Sequence, residues 1–335
     1  MATSGYIPVI DIGPLVGDKG QGSLDQAIEE IAAACREWGF FQILNHGIPS
    51  SQIKNVRTAY QQFFALPRSV KHEILRSKDN PRGYYDRELT KNTRDLKEVF
   101  DFGFKPEPEL PDDDPANCTL DGYNQWPSCM PEFKQTMEQY FHACEKLGLK
   151  LTEGICLSLG VPPNRLHSYL VNSHTSFVRL NHYPREDPLL NENESDVTPL
   201  GEMGVHHHSD AGILTILLQD EVAGLQVYKQ GEWFLVDPIP EAFVVNLGDM
   251  MQVLSNDRYK APLHRVLASK DKERYSVPFF YNPRYDMNCY PLEALLENEP
   301  QHYRDISWGE FRRRRADGDY ADYGNEVQIA DYRVV

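Results

Sequence analysis

Two textures of apolar patterning divide the chain. Up to about residue 172, apolar positions recur at spacings of three and four; beyond it, short apolar runs follow one another with turns between. The first texture predicts helices. One opens on the capping box Ser23–Gln26, carries Ile28, Ile31, Ala32 and Cys35, and stops near Gly39. A second carries Ile53, Val56, Tyr60, Phe63 and Phe64. A third begins at Pro131, runs through Phe133, Met137, Tyr140, Cys144, Leu147, Leu151 and Ile155, and ends at Gly160. Short strands are expected at 7–11 and 40–44, and residues 78–130 show no regular period. The second texture predicts strands at 176–183, 213–218, 225–228, 233–236, 243–247, 264–268 and 275–281. Several short strands without a long helix between them indicate a β-sandwich or barrel. The expected class is therefore α+β. A helical region (1–130) and scaffold helices (131–172) would precede a β core (173–285), with a C-terminal segment (286–335) packing on it in one compact unit.

Composition narrows the partners. A formal net charge of −16 argues against nucleic acid or an anionic membrane surface, while leaving room for a locally basic pocket. No run of about 18 apolar residues is present to span a bilayer. The first residues show neither the basic nor the apolar part of a secretory leader. The six cysteines form no CxxC pair and no disulfide-dense pattern, so a cytoplasmic protein with free thiols is expected. The acidic stretch 107–114 reads as a solvated loop, and Arg312–Arg315, beside Glu310, Asp317, Asp319 and Asp322, as a solvated, salt-bridged helix.

Candidate chemistry begins at Gly204–Asp210, where His208 and Asp210 stand two residues apart. In an extended backbone that spacing turns an imidazole and a carboxylate to the same side. A third ligand is available in His264, 56 residues downstream at the mouth of a strand-like run; His302 lies in a polar segment. Two histidines and one carboxylate leave three octahedral positions open, the pattern of non-haem iron(II) oxygenases. Arg274 and Ser276 repeat the strand spacing and suit a carboxylate, since a guanidinium presents a planar fork of permanent charge. Asn181 and Tyr183 repeat it again.

These residues resemble the iron(II)/2-oxoglutarate-dependent dioxygenases of the isopenicillin N synthase-like group. Ile7–Asp11 and Cys35–Pro49 are similar to that family's N-terminal signatures. Arg179–Pro184, His208–Asp210, Leu214–Leu217, Asn246–Asp249, His264–Val266 and Arg274–Ser276 are similar to its catalytic-half signatures, in the same order. The resemblance implies a double-stranded β-helix, or jelly roll, with flanking N-terminal helices and iron at one mouth. It implies His208, Asp210 and His264 as Fe(II) ligands, and Arg274, Ser276, Tyr183 and Asn181 around 2-oxoglutarate, with O2 as oxidant. The implied reaction converts 2-oxoglutarate to succinate and CO2 while a metabolite, as in secondary metabolism, is hydroxylated, desaturated or cyclised. The family's layout nominates Arg82, Tyr84, Asn124 and Phe280 for the substrate, and Arg82 would suit an acidic or amino-acid-derived small molecule. A monomer is expected. His206 and His207 read as flanking residues, His46 as structural, and Asp249 as turn chemistry. The competing readings are a same-fold iron oxidase that does not use 2-oxoglutarate and a non-enzymatic metal-binding jelly roll.

Overall fold

Ser23 caps its helix as expected, but only half of the capping box forms. Ser23 Oγ accepts from the Gln26 N–H at 3.1 Å, while the Gln26 side chain donates to Glu30 Oε1 at 2.9 Å. In this computed structural model the described residues are 7–17, 20–77, 79–90, 93–104, 122–171, 174–190, 198–269, 271–297, 299–320 and 327–334. The acidic stretch 107–114 and Cys118 lie outside them.

In chain order, β1 (Val9–Asp11), α1 (Gly13–Val16), α2 (Leu24–Glu37), β2 (Phe40–Leu44), α3 (Ser50–Phe64) and α4 (Arg68–Lys71) come first. Then follow β3 (Gly83–Tyr85), β4 (Leu89–Thr90), β5 (Thr93–Arg94), β6 (Glu98–Gly103), α5 (Pro131–Ser158) and α6 (His167–Leu170). The β-rich part is β7 (Phe177–Tyr183), β8 (Met203–His208), β9 (Leu214–Gln219), β10 (Leu225–Lys229), β11 (Glu232–Leu235) and β12 (Phe243–Leu247). It continues through α7 (Asp249–Leu254), β13 (His264–Leu267), β14 (Arg274–Tyr281), β15 (Asn288–Cys289), β16 (Ile306–Ser307) and α8 (Trp308–Tyr320). Gly39 makes the turn from α2 into β2 at φ +62°, and a Cβ there would lie 2.2 Å from the Lys260 carbonyl oxygen.

Besides the two-stranded pairs β4–β5 and β15–β16, the strands among the described residues form two main sheets, one of eight strands in the order β1-β2-β12-β9-β14-β7-β6-β3 and one of four, β11-β10-β13-β8. From β7 onward the chain passes back and forth between them, which is the double-stranded β-helix. Strand periodicity sorts the large sheet's residues between two cores. Phe41, Ile43, Phe100, Phe102, Val178, Leu180, Ile216, Leu218, Val245, Val277 and Phe279 face the helices. Phe40, Tyr183, Leu217 and Val244 face Val205, Leu225, Val227 and Val266 of the small sheet. Phe63 of α3 stacks on Phe133 of α5 at 5.1 Å and meets Phe100 of β6 at 4.9 Å, fastening both helices to the sheet.

β6 falls in the segment that showed no period, yet every residue of it is buried. Its charges are what hide it. Glu98 is held by Lys71 and His182, each at 2.7 Å, and Asp101 by Arg179 at 2.7 Å. Residues before 130 thus supply strands of the large sheet as well as helices. Among the described residues, no helix is long and apolar enough to cross a membrane.

Candidate active site

His208 ends β8 and His264 begins β13, and the antiparallel register sets them directly opposite each other. Asp210 follows two residues after His208, and ligand atoms of the three lie within 4.8 Å of one another. Asp210 Oδ1 is 3.6 Å from Nε2 of each histidine. Its other oxygen accepts from Thr215 Oγ1 at 2.5 Å and from Asn246 Nδ2 at 2.8 Å, which fixes the carboxylate plane. His208 Nδ1 donates to the His206 carbonyl at 2.8 Å and His264 Nδ1 to the Pro262 carbonyl at 3.2 Å. A carbonyl can only accept, so in the neutral imidazoles both Nε2 atoms carry the lone pair, on the side facing Asp210.

The electrostatics suit a cation between them. Burial would raise Asp210, but the neighbouring imidazoles and the Asn246 bond hold it well below the usual carboxylate range. Burial pushes His264 down to about 4, partly offset by Asp210. For His208, burial is outweighed by the hydrogen bond and charge of Asp210, and its imidazole is raised. Three donor groups of the kind a divalent metal takes converge with open space on one side, so the residues fit Fe(II).

That space is two cavities meeting at His208 and Asp210. The smaller, about 90 Å³, reaches to Arg274, Ser276, Asn181 and Tyr183. The β7–β14 register places Arg274 opposite Tyr183 and Ser276 opposite Asn181. Asn181 Nδ2 donates to Ser276 Oγ at 3.4 Å, and Tyr183 Oη lies 3.5 Å from the same oxygen. Arg274 is 1% exposed. It donates to the Val222 carbonyl at 3.1 Å and to Gln219 Oε1 at 2.9 Å, and among the described residues its Nη1 has no hydrogen-bond partner. Among the described residues no carboxylate hydrogen-bonds this buried guanidinium, and Asp220 acts on it through charge alone, so the pocket fits an anionic group such as one end of 2-oxoglutarate.

The larger cavity, about 370 Å³, opens on the other side. Arg82 and Phe280, two of the substrate candidates, line it; Phe280 stacks on Phe177 at 4.6 Å, and the Arg82 guanidinium sits 4.8 Å over the Phe177 ring. The other two are corrections. Tyr84 points to the helical side of the sheet, where its hydroxyl donates to Glu98 at 2.5 Å. Asn124 exchanges hydrogen bonds with both backbone groups of Gly103 and braces the end of β6. Neither lines either cavity.

Flanking groups also resolve. His206 bonds Asp95 at 2.9 Å, His207 meets Trp233 edge-on, and His46 is fixed between Glu241 and Ile48. Asp249 begins α7 and pairs with Arg315 at 3.0 Å, which replaces the turn reading. The arginine run is therefore not wholly solvated, since Arg312 and Arg315 line the larger cavity. Lys97 and Arg179, which line both cavities, had no assigned role. Arg179 was open to discovery by strand spacing, standing two residues before Asn181 in β7. Lys97, just ahead of β6, carried no such signal.

Comparison with known proteins agrees with this geometry. A model described as the N-terminal part of non-haem dioxygenases in morphine synthesis matches residues 7–129, and the 2OG-Fe(II) oxygenase superfamily model matches 174–283. The Arabidopsis thaliana protein DMR6-LIKE OXYGENASE 2 is 36% identical over 321 residues, 92% of this chain and 83% of its own length. A crystal structure of JOX2 in complex with 2OG, Fe and JA aligns with a TM-score of 0.80 at 28% identity, covering 100% of this chain and 91% of that one. The crystal structure of a full-length Neurospora crassa protein in complex with alpha-KG and thymine aligns with a TM-score of 0.75 at 25% identity, covering 92% and 97%. Neither an oxidase independent of 2-oxoglutarate nor a non-enzymatic jelly roll is favoured beside these. The chain belongs to the 2OG-Fe(II) oxygenase superfamily and is an Fe(II)/2-oxoglutarate-dependent dioxygenase that oxidises a small molecule with O2.

Proposed function

We propose that His208, Asp210 and His264 hold the iron, that Arg274 receives the distal carboxylate of 2-oxoglutarate, and that the substrate is a small carboxylic acid in the larger cavity. When bound, the metal and 2-oxoglutarate supply O2 activation coupled to loss of CO2 from the keto acid. The chain's residues orient and enclose. Thr215 and Asn246 hold Asp210 with one oxygen toward the metal position. Arg274 presents Nη1 to the co-substrate while its other nitrogens stay fixed on Val222 and Gln219, and Ser276, Tyr183 and Asn181 close the pocket around it. Phe177 and Phe280 form an apolar wall on the substrate side. The observation that carries the co-substrate reading is the Nη1 of a fully buried arginine, which has no hydrogen-bond partner among the described residues.

The acidic class rests on the larger cavity, whose lining includes Arg82, Lys97, Arg179, Arg312 and Arg315 against the carboxylates of Asp101 and Asp210. Much of that charge is already paired, so the wall suits one carboxylate better than a polyanion. Thymine, in the Neurospora crassa structure, is not a carboxylic acid, and the class is argued from this chain's side chains alone. The five described cysteines are free thiols, which supports a reducing, cytoplasmic setting.

Two measurements test the reading. Calorimetric titration of 2-oxoglutarate into the Mn(II)-loaded protein should show Arg274→Met binding at least tenfold more weakly than wild type, and an unchanged affinity removes Arg274 from the role. A succinate-release screen pairing carboxylic acids with their methyl esters should find stimulation by the acid only. Equal stimulation by an acid and its ester removes the acidic class.

A further inference from the structure

The loop that carries Asp210 is gripped from two directions. On one side α7 holds it by backbone, since the Asp249 N–H donates to the Asp210 carbonyl at 2.7 Å and the Gly248 N–H to the Ile213 carbonyl at 3.0 Å. On the other, a side chain arrives from α8. Arg315 Nη2 donates to the carbonyl of Ser209, the residue between His208 and Asp210, at 2.9 Å, and Nη1 donates to Asp249 Oδ2 at 3.0 Å. The Arg315 and Asp249 side chains are 9% and 3% exposed, so water competes weakly for either bond. One planar guanidinium thus joins the peptide leading into Asp210 to the helix that holds the peptide leaving it. Thr215 and Asn246 fix the carboxylate group, but neither fixes the backbone that carries it.

We propose that Arg315 is a positioning residue for the metal site, holding the Ser209–Asp210 backbone so that Asp210 Oδ1 falls between the two imidazoles. Trp308 and Arg312 stand seven and three residues earlier, on the same face of α8, and line the larger cavity beside Arg315. The helix that walls the substrate side is therefore the helix that anchors the ligand loop. Removing the guanidinium frees the Ser209 carbonyl, leaves Asp249 buried without its cation, and lets Asp210 drift from the imidazoles. Groups that orient a metal ligand typically contribute about 10–100-fold in metal affinity.

The proposal rests on the triad being the metal site, and one experiment separates the two. Co(II) is titrated into the full-length wild type, His264→Ala, Arg315→Met and Arg315→Lys, with visible absorption reporting affinity and ligand geometry. Arg315→Met should bind Co(II) at least about tenfold more weakly, with its visible bands shifted or changed in intensity. Arg315→Lys keeps the charge beside Asp249 but has no second planar donor for Ser209, so it should fall between the two. Wild-type affinity and spectrum in both Arg315 variants overturn the proposal. Weaker binding with unchanged bands overturns it as well, because the site would then form less often but with the same geometry. Should Arg315→Met fail to fold, judged by near-UV circular dichroism, Arg315→Lys decides by the same criteria. If His264→Ala takes up Co(II) as wild type does, the triad itself is refuted, a result distinct from failure of the Arg315 role.

Discussion

At the scale of single residues, what the chain announces is local geometry. Asn181 with Tyr183 and Arg274 with Ser276 are legible because a strand turns residues i and i+2 the same way whatever it pairs with, and His208 with Asp210 shows the same spacing although Asp210 lies just past the end of β8. Tyr84 is the counterexample. Its side is set by the register of β3 on β6, Tyr84 opposite Phe100, and nothing near Tyr84 in the chain encodes that pairing. The consequence is measurable. Tyr84→Phe deletes the hydrogen bond to Glu98 while Lys71 and His182 still hold that carboxylate. It should lower unfolding free energy in urea by about 1 kcal/mol. Michaelis constants for 2-oxoglutarate and substrate should stay at wild-type values, and a changed constant at intact stability would return Tyr84 to the substrate site.

At the scale of elements, apolar periodicity located α2, α3, α5 and most of the β-rich strands, because each of these buries apolar residues on a regular face. It failed where charge is buried in pairs. β6 hides Glu98 and Asp101 among partners distant in the chain, and α8 turns Arg315 inward from a run that composition reads as solvated. Glu88, beside the same array, shows how strongly such pairs are held. Burial would raise its carboxyl, but Arg179, Arg76 and Lys97 bring it down to about 2. A carboxyl depressed on folding stabilises the protein above its unfolded value, about 4.5, and that contribution drains away as pH falls toward 2. Urea unfolding of wild type should therefore lose stability steeply across this window. Glu88→Gln, weaker at neutral pH, should show a shallower slope there; parallel slopes would mean that Glu88 is not depressed.

At the scale of the molecule, strands from the first 130 residues complete a sheet begun by the last half, and the His208–Asp210–His264 triad sits at one end of the β8–β13 pairing in the other sheet. The cation-rich cavity walls sit inside a chain whose net charge is −16. An anion approaching from afar meets a repulsive field, and only within the mouth does the sign reverse. Capture of 2-oxoglutarate is then a two-range process in which salt erases the outer barrier first, because the Debye length is about 10 Å at 0.1 M and enclosed charges are screened less. Stopped-flow association should accelerate as ionic strength rises from a few millimolar toward about 0.1 M. A rate that falls from the outset would mean that the mouth, not the whole surface, governs the encounter.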